Sequence, residues 1–270
     1  MTSYSLLKIE DKISIVSDEI SDDFEEIPSV ANSLKIKNFE LRNFKEGRIP
    51  YINKKTIEGL VSLQEKFGYN YTLISPGFFK HSLKDKEKTK NQLEDFSKVL
   101  DLAHFLEVDL ISVFSFKREE NQPDVPSNII EPLLCLKKKC EEKSIDLIIE
   151  NSPTCWANTS KNLLKVSGET KLGVNWDPGN SLASNCTDHQ KDLNKLLPIV
   201  KNIHLKNWKP SIGYCSIMTG AYDLESEILF FLKNHYMGYF CIEHHQWNDR
   251  INSTILNYKE LKSILDKAYS

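Results

Sequence analysis

Three acids and one histidine stand where short apolar runs end. Glu150 follows the run 145–149, Asp177 follows 171–176, His204 lies near the end of 200–205, and Glu243 follows 239–242. Carboxylates and imidazoles bind divalent cations and carry protons. Three carboxylates gathered at one point would repel one another and raise one another's pKa, and a divalent cation removes that conflict. Three oxygen donors and one nitrogen suit Mn²⁺, Mg²⁺, Co²⁺ or Fe²⁺ better than a structural Zn²⁺. Taken singly, each residue has an ordinary explanation. A Glu after a strand is commonly solvated, an Asp before Pro-Gly starts a turn, and a lone His is commonly a satisfied core residue. Their joint placement at the ends of consecutive runs points to a metal site.

The elements that must position them alternate along the whole chain. Short β-rich runs at 13–17, 39–41, 71–74, 110–114, 145–149, 171–176, 200–205 and 239–242 are separated by stretches with helical spacing. Examples of that spacing are Phe24, Ile27, Val30, Ala31 and Leu34, and Leu93, Phe96, Leu100, Ala103 and Leu106. Ser127 is a plausible N-cap, and a last helix is expected at about 258–268. Eight such units predict a parallel sheet closed into a (β/α)₈ TIM barrel, one domain over residues 1–270. In such a barrel every strand opens its C-terminal end onto one face, which is where the four residues would meet. No G-x-G-x-x-G follows the first run, which argues against a dinucleotide-binding sheet.

Composition narrows the classes. At 270 residues, with 40% apolar and 27% charged residues and ten each of Gly and Pro, the chain reads as globular. A net charge of −3 provides no global field for nucleic acid or an anionic membrane. No apolar run approaches the roughly 20 residues of a bilayer span. The first eleven residues lack a secretory plan, and six cysteines occur without a C-x-x-C pair, so a cytoplasmic protein with reduced thiols is expected.

The sequence also resembles the sugar phosphate isomerase/epimerase superfamily of xylose isomerase-like barrels, which includes ketose 3-epimerases, hydroxypyruvate isomerases and inosose dehydratases. The resemblance rests on Ser17-Asp-Glu-Ile-Ser-Asp-Asp, Phe39-Glu-Leu-Arg42, Ile149-Glu-Asn151, Trp176-Asp-Pro-Gly-Asn180, His204-Leu-Lys206, Thr219-Gly-Ala-Tyr-Asp223 and Ile242-Glu243. It implies that Glu150, Asp177, His204 and Glu243 hold one metal, often Mn²⁺, and that the two glutamates form the proton-transfer pair. The chain departs from its relatives at Asn180, Asn207 and Ser152, where substrate is usually gripped.

The chemistry implied is proton removal next to a carbonyl, with Glu150 and Glu243 as acid and base on opposite sides of the ion. Lys206, Arg42, Glu40, Asn180, Trp208 and His244 are the expected substrate contacts. Trp156, Trp176 and Trp247 are further candidates for a sugar-binding wall. The expected partner is a small carbohydrate or keto-acid, with homo-oligomerisation open. A dehydratase acting on an inosose- or shikimate-like ring is the alternative reaction, and a non-catalytic metal-binding barrel is a third reading. A three-zinc nuclease is disfavoured, because the third and fourth strand ends offer no histidine and there is no basic excess.

Overall fold

The apolar runs become eight strands in the computed structural model, which describes residues 9–119, 122, 124–186 and 189–269. They are β1 (Ile13–Val16), β2 (Asn38–Leu41), β3 (Asn70–Ile74), β4 (Leu110–Val113), β5 (Asp146–Glu150), β6 (Gly173–Trp176), β7 (Val200–Leu205) and β8 (Tyr239–Ile242). Every neighbouring pair is parallel, and β1 closes the ring. Ile15 pairs with Phe39 of β2 on one side and with Ile242 of β8 on the other. The fold is the (β/α)₈ barrel that the alternation predicts.

Around the ring lie α1 (Ile27–Leu34), α2 (Lys54–Phe67), α3 (Lys86–Phe105), α4 (Ile130–Glu141), α5 (Ser160–Thr170), α6 (Pro178–Ala183), α7 (Leu193–Leu196), α8 (Leu224–Lys233) and α9 (Arg250–Tyr269). Polar side chains start several of them by accepting an orphan backbone N–H. Asn53 accepts from Thr56, Asp85 from Lys88, Thr159 from Asn162, and Asp223 from Ser226. The cap expected at Ser127 is not of this kind. Ser127 opens a 3₁₀ turn ahead of α4, and no side-chain cap forms. The last helix starts at Arg250, well before the expected 258, because its first turns continue from the loop beyond β8. The longer helices bury an apolar face. In α3 this is Phe96, Val99, Leu100, Leu102 and Ala103, and a fully buried side chain such as Phe96 contributes about 1.5–3 kcal/mol.

The barrel interior differs from its apolar outer layer. Ser14 of β1 bonds Thr72 of β3 across the lumen, and Asn175 of β6 reaches Ser112 of β4. Asn202 of β7 donates to Asn175 and to Glu40 of β2. These links join strands that are not all neighbours, so the side chains point inward. Two short antiparallel ribbons decorate the mouth: Asn43–Phe44 with Gly47–Arg48, and Asn207–Lys209 with Gly213–Cys215. No helix among the described residues is long and apolar enough to cross a membrane.

Candidate metal centre and the barrel mouth

Glu150 is the last residue of β5, one position earlier than the sequence spacing suggests, and pairs with Asn175 of β6. Asp177 follows β6 directly and serves as the N-cap of α6, its Oδ1 accepting the Asn180 N–H at 2.8 Å. Pro178 at the first helical position has no N–H to satisfy, so the Asp-Pro-Gly-Asn run forms the turn. Capping commits one Asp177 oxygen and turns the other inward. His204 is on β7, and Glu243 directly follows β8. Each of the four offers a ligand atom within 4.8 Å of the others, and all four are buried.

His204 is oriented for a role at Nδ1. Its Nε2 lies 2.6 Å from Glu40 Oε2 and 3.1 Å from Asn175 Nδ2. Its buried Nδ1 has no hydrogen-bond partner, although Glu243 Oε2 is 3.1 Å away and Glu150 Oε1 is 3.8 Å away. A carboxylate behind one imidazole nitrogen with the other nitrogen left open is the usual support of a metal-bound histidine. The donor set therefore fits a divalent cation. Without one, burial lowers the His204 pKa, but Glu40, Glu243 and Glu150 outweigh it and hold the imidazole well above its ordinary value. A bound cation at Nδ1 would take the place of that proton.

Lys206 is fully buried and donates from Nζ to both Asp177 Oδ2 and Glu243 Oε2. Burial would lower its pKa, but these two carboxylates keep it above its usual value. Asp177 is raised to about 6 by burial, against the pull of Lys206. Glu243 is also raised by burial, but Lys206, His245, His204 and Arg42 hold it well below the carboxylate range. Glu150 is lowered as well, its burial outweighed mainly by His204. The two glutamates therefore differ. Glu243 accepts from Arg42, His245 and Lys206. Among the described residues Glu150 meets only Asn180 Nδ2 at 3.3 Å and His204 at 3.8 Å, both on Oε1.

The strand ends open into a cavity of about 360 Å³. Glu150, Glu243, Asn180 and Arg42 line it. Asn180 takes the hydroxyl of Tyr214 at 2.7 Å. Arg42 spends its donors on Asp18, Glu19 and Glu243. Four expected contacts do not line the cavity, the first being Lys206, which is fully buried against Asp177 and Glu243. Glu40 lies beneath His204 and away from the cavity, because its side chain points down the lumen into the Asn202–Asn175 network. His244 turns outward, with Nε2 on Thr254 at 3.0 Å and Nδ1 accepting from Gln246 N–H. Its neighbour His245, at φ 55°, takes the place in the mouth expected for His244. Trp208 is half-buried on the second ribbon and does not line the cavity. Trp176 is a core residue donating to Glu227, Trp156 is buried, and Trp247 alone of the four tryptophans lines the opening.

Sequence spacing missed Asn202, Asn175, Arg48, Lys80, Ser75 and Tyr214. One signal was present for Asn202, which is two residues from His204 on the same strand and so shares its face. Arg48, Lys80 and Tyr214 come from ribbons and loops, where no periodicity marks them.

A family model described as the xylose isomerase-like TIM barrel matches residues 29–262. No curated protein matches the sequence. Among solved structures the chain is similar to a xylose isomerase-like TIM barrel protein from Mycobacterium smegmatis in complex with magnesium. That protein is 18% identical, with 92% of this chain and 89% of that one covered, at a TM-score of 0.73. The probable 3-DHS dehydratase AsbF from Bacillus anthracis is 17% identical, covering 93% and 98%, with a TM-score of 0.73. An L-ribulose 3-epimerase is 13% identical, covering 95% of each chain, with a TM-score of 0.77. The identities are low, and these likenesses establish the barrel alone. The family match spans seven of the eight strands and the ends of all four that carry the clustered acids and histidine: this chain belongs to the xylose isomerase-like TIM barrel family.

Proposed function

We propose that the protein is a divalent-metal-dependent isomerase or epimerase of a small sugar or keto-sugar, with Glu150, Asp177, His204 and Glu243 as the ligands. The observation that carries this reading is the open Nδ1 of His204, buried among three carboxylates and braced from behind by Glu40. The donor set is compatible with Mn²⁺, and the family resemblance favours it. When bound, the ion supplies positive charge against the negative charge that develops as a proton leaves the carbon beside a carbonyl.

The chain's own residues supply the rest. Glu150, with few partners and a place in the cavity wall, takes the proton. Glu243, held ionised by Arg42 and Lys206, faces it from β8 as the second proton carrier. Asp177 and His204 stay fixed, one by its capping bond and the other by Glu40. Asn180, in the cavity wall, orients a substrate oxygen, and Lys206 holds the charge and position of Asp177 and Glu243 from beneath. Tyr214 and Trp247 line the mouth.

The test is Glu150→Gln in the Mn²⁺-loaded protein. The expected result is a loss of at least about 100-fold in solvent deuterium uptake at the substrate's α-carbon, the lower range for removing a positioned base, with the fold retained. Undiminished uptake refutes the assignment. NMR of the product separates an isomer from the unsaturated product of a dehydratase.

A further inference from the structure

The charged groups of the mouth are nearly all matched. Arg42 meets three carboxylates, Lys206 two, and His245 pairs with Glu243. Two cations lining the same cavity are different. Among the described residues, neither Arg48 nor Lys80 has a carboxylate within ion-pair distance, although Glu150 and Glu243 line the cavity with them.

Arg48 is held in place without being neutralised. It lies on the first ribbon, where its Nε donates to the Ser75 carbonyl at 3.0 Å and one terminal nitrogen donates to Ser75 Oγ at 3.2 Å. Its guanidinium rests on the backbone of Gly77, whose φ is +73°. A Cβ there would come within 2.5 Å of Arg48 Nε and 2.7 Å of its Cζ, so the glycine makes room for the arginine. Burial, with Arg42 close by, lowers its pKa to about 10. Lys80 stands 4.3 Å over the Phe114 ring and bears on Glu150 electrostatically. Ser75 follows β3, Phe114 follows β4, and the Arg48 ribbon follows β2. The four ligand candidates are on β5 to β8, so the two cations belong to the other arc of the barrel mouth.

The geometry points to a substrate that carries an anionic oxygen group, a carboxylate or a phosphate, received by Arg48 and Lys80 across the cavity from the four ligands. A planar guanidinium with donors to spare grips such a group in two-point fashion, and a nearby ammonium adds point charge. This inference rests on the isomerase reading for what happens at the other end of the substrate. It narrows the class from sugars at large to acidic or phosphorylated ones.

The experiment is calorimetric binding to the Mn²⁺-loaded full chain. Its probes are D-fructose, D-fructose 6-phosphate and D-fructuronate, which share a ketose end and differ only at the sixth carbon. At least one acidic probe should bind about tenfold or more tighter than fructose. Arg48→Met should abolish that advantage and Lys80→Met should reduce it, with fructose affinity unchanged. Whichever acidic probe gains distinguishes phosphate from carboxylate. Equal affinity for all three overturns the proposal, as does no binding by either acidic probe, or an advantage that survives Arg48→Met. If Arg48→Met does not fold, Lys80→Met decides, since its side chain is exposed: an undiminished advantage there overturns the proposal. The readout is binding alone. Absent deuterium exchange with the preference intact would sink the isomerase reading only, and exchange without the preference would sink this one only.

Discussion

Lys206→Met isolates the cation that the protein itself places in the ligand cluster. Met matches the length of the lysine stem, so the change removes a charge without opening a cavity. In the wild type the ammonium joins Asp177 and Glu243, with no exposure at Lys206 or Asp177. Breaking a buried ion pair by removing one partner costs about 3–5 kcal/mol, because a charge is left uncompensated. The variant should lose that much stability when unfolded by urea in chelator. Saturating Mn²⁺ should recover much of the loss, because the ion supplies the missing positive charge. Ligand at about a thousandfold excess over Kd adds about 4 kcal/mol. Removing a like charge from the cluster should also tighten Mn²⁺ binding by at least about tenfold, or about 1.4 kcal/mol. Urea midpoints with and without Mn²⁺, together with Kd from calorimetry, give both quantities. An equal loss in the two conditions with an unchanged Kd would refute the reasoning, placing Lys206 outside the metal's electrostatic reach.

Two further predictions test the supports of the site. Glu40→Gln should weaken Mn²⁺ binding by about 10- to 100-fold, as removal of a carboxylate behind a metal-bound imidazole does, and leave the cavity lining unchanged. Unaltered affinity would mean that Glu40 does not orient His204. His244 gives a pH signature of the fold. Burial, with His245 next to it, lowers its pKa to about 4, and its Nδ1 accepts from Gln246 N–H in the neutral ring. The unfolded chain takes up a proton near pH 6.5 that the folded site refuses, so stability falls as pH drops from about 6.5 toward 4. At pH 5 the cost from this one residue is about 2 kcal/mol. His244→Gln should flatten the decline between pH 6.5 and 5, as measured by urea unfolding, and an unchanged slope would exclude His244 as its source.

The barrel and the quartet were legible because each left a periodic trace. Eight apolar runs alternating with helical stretches specify a parallel sheet, and parallel strands must open their C-terminal ends on one face. An acid or a histidine at four consecutive ends is therefore a statement about space as well as order. Asp177 even carried its orientation locally, since Asp-Pro-Gly-Asn is an N-cap before it is anything else. What needed the tertiary structure was each side chain's direction and partner. Glu40 and Arg42 share a strand face, yet one supports His204 from below and the other reaches Glu243 across the mouth. At His245 the backbone has a positive φ, and it is this residue and not His244 that lines the mouth. Arg48, Lys80 and Tyr214 lie on loops and ribbons whose path depends on contacts far away in sequence, such as Gly77 making room for Arg48. Periodicity encodes which face a strand residue occupies, but closure of the ring decides which residues from distant loops meet above it.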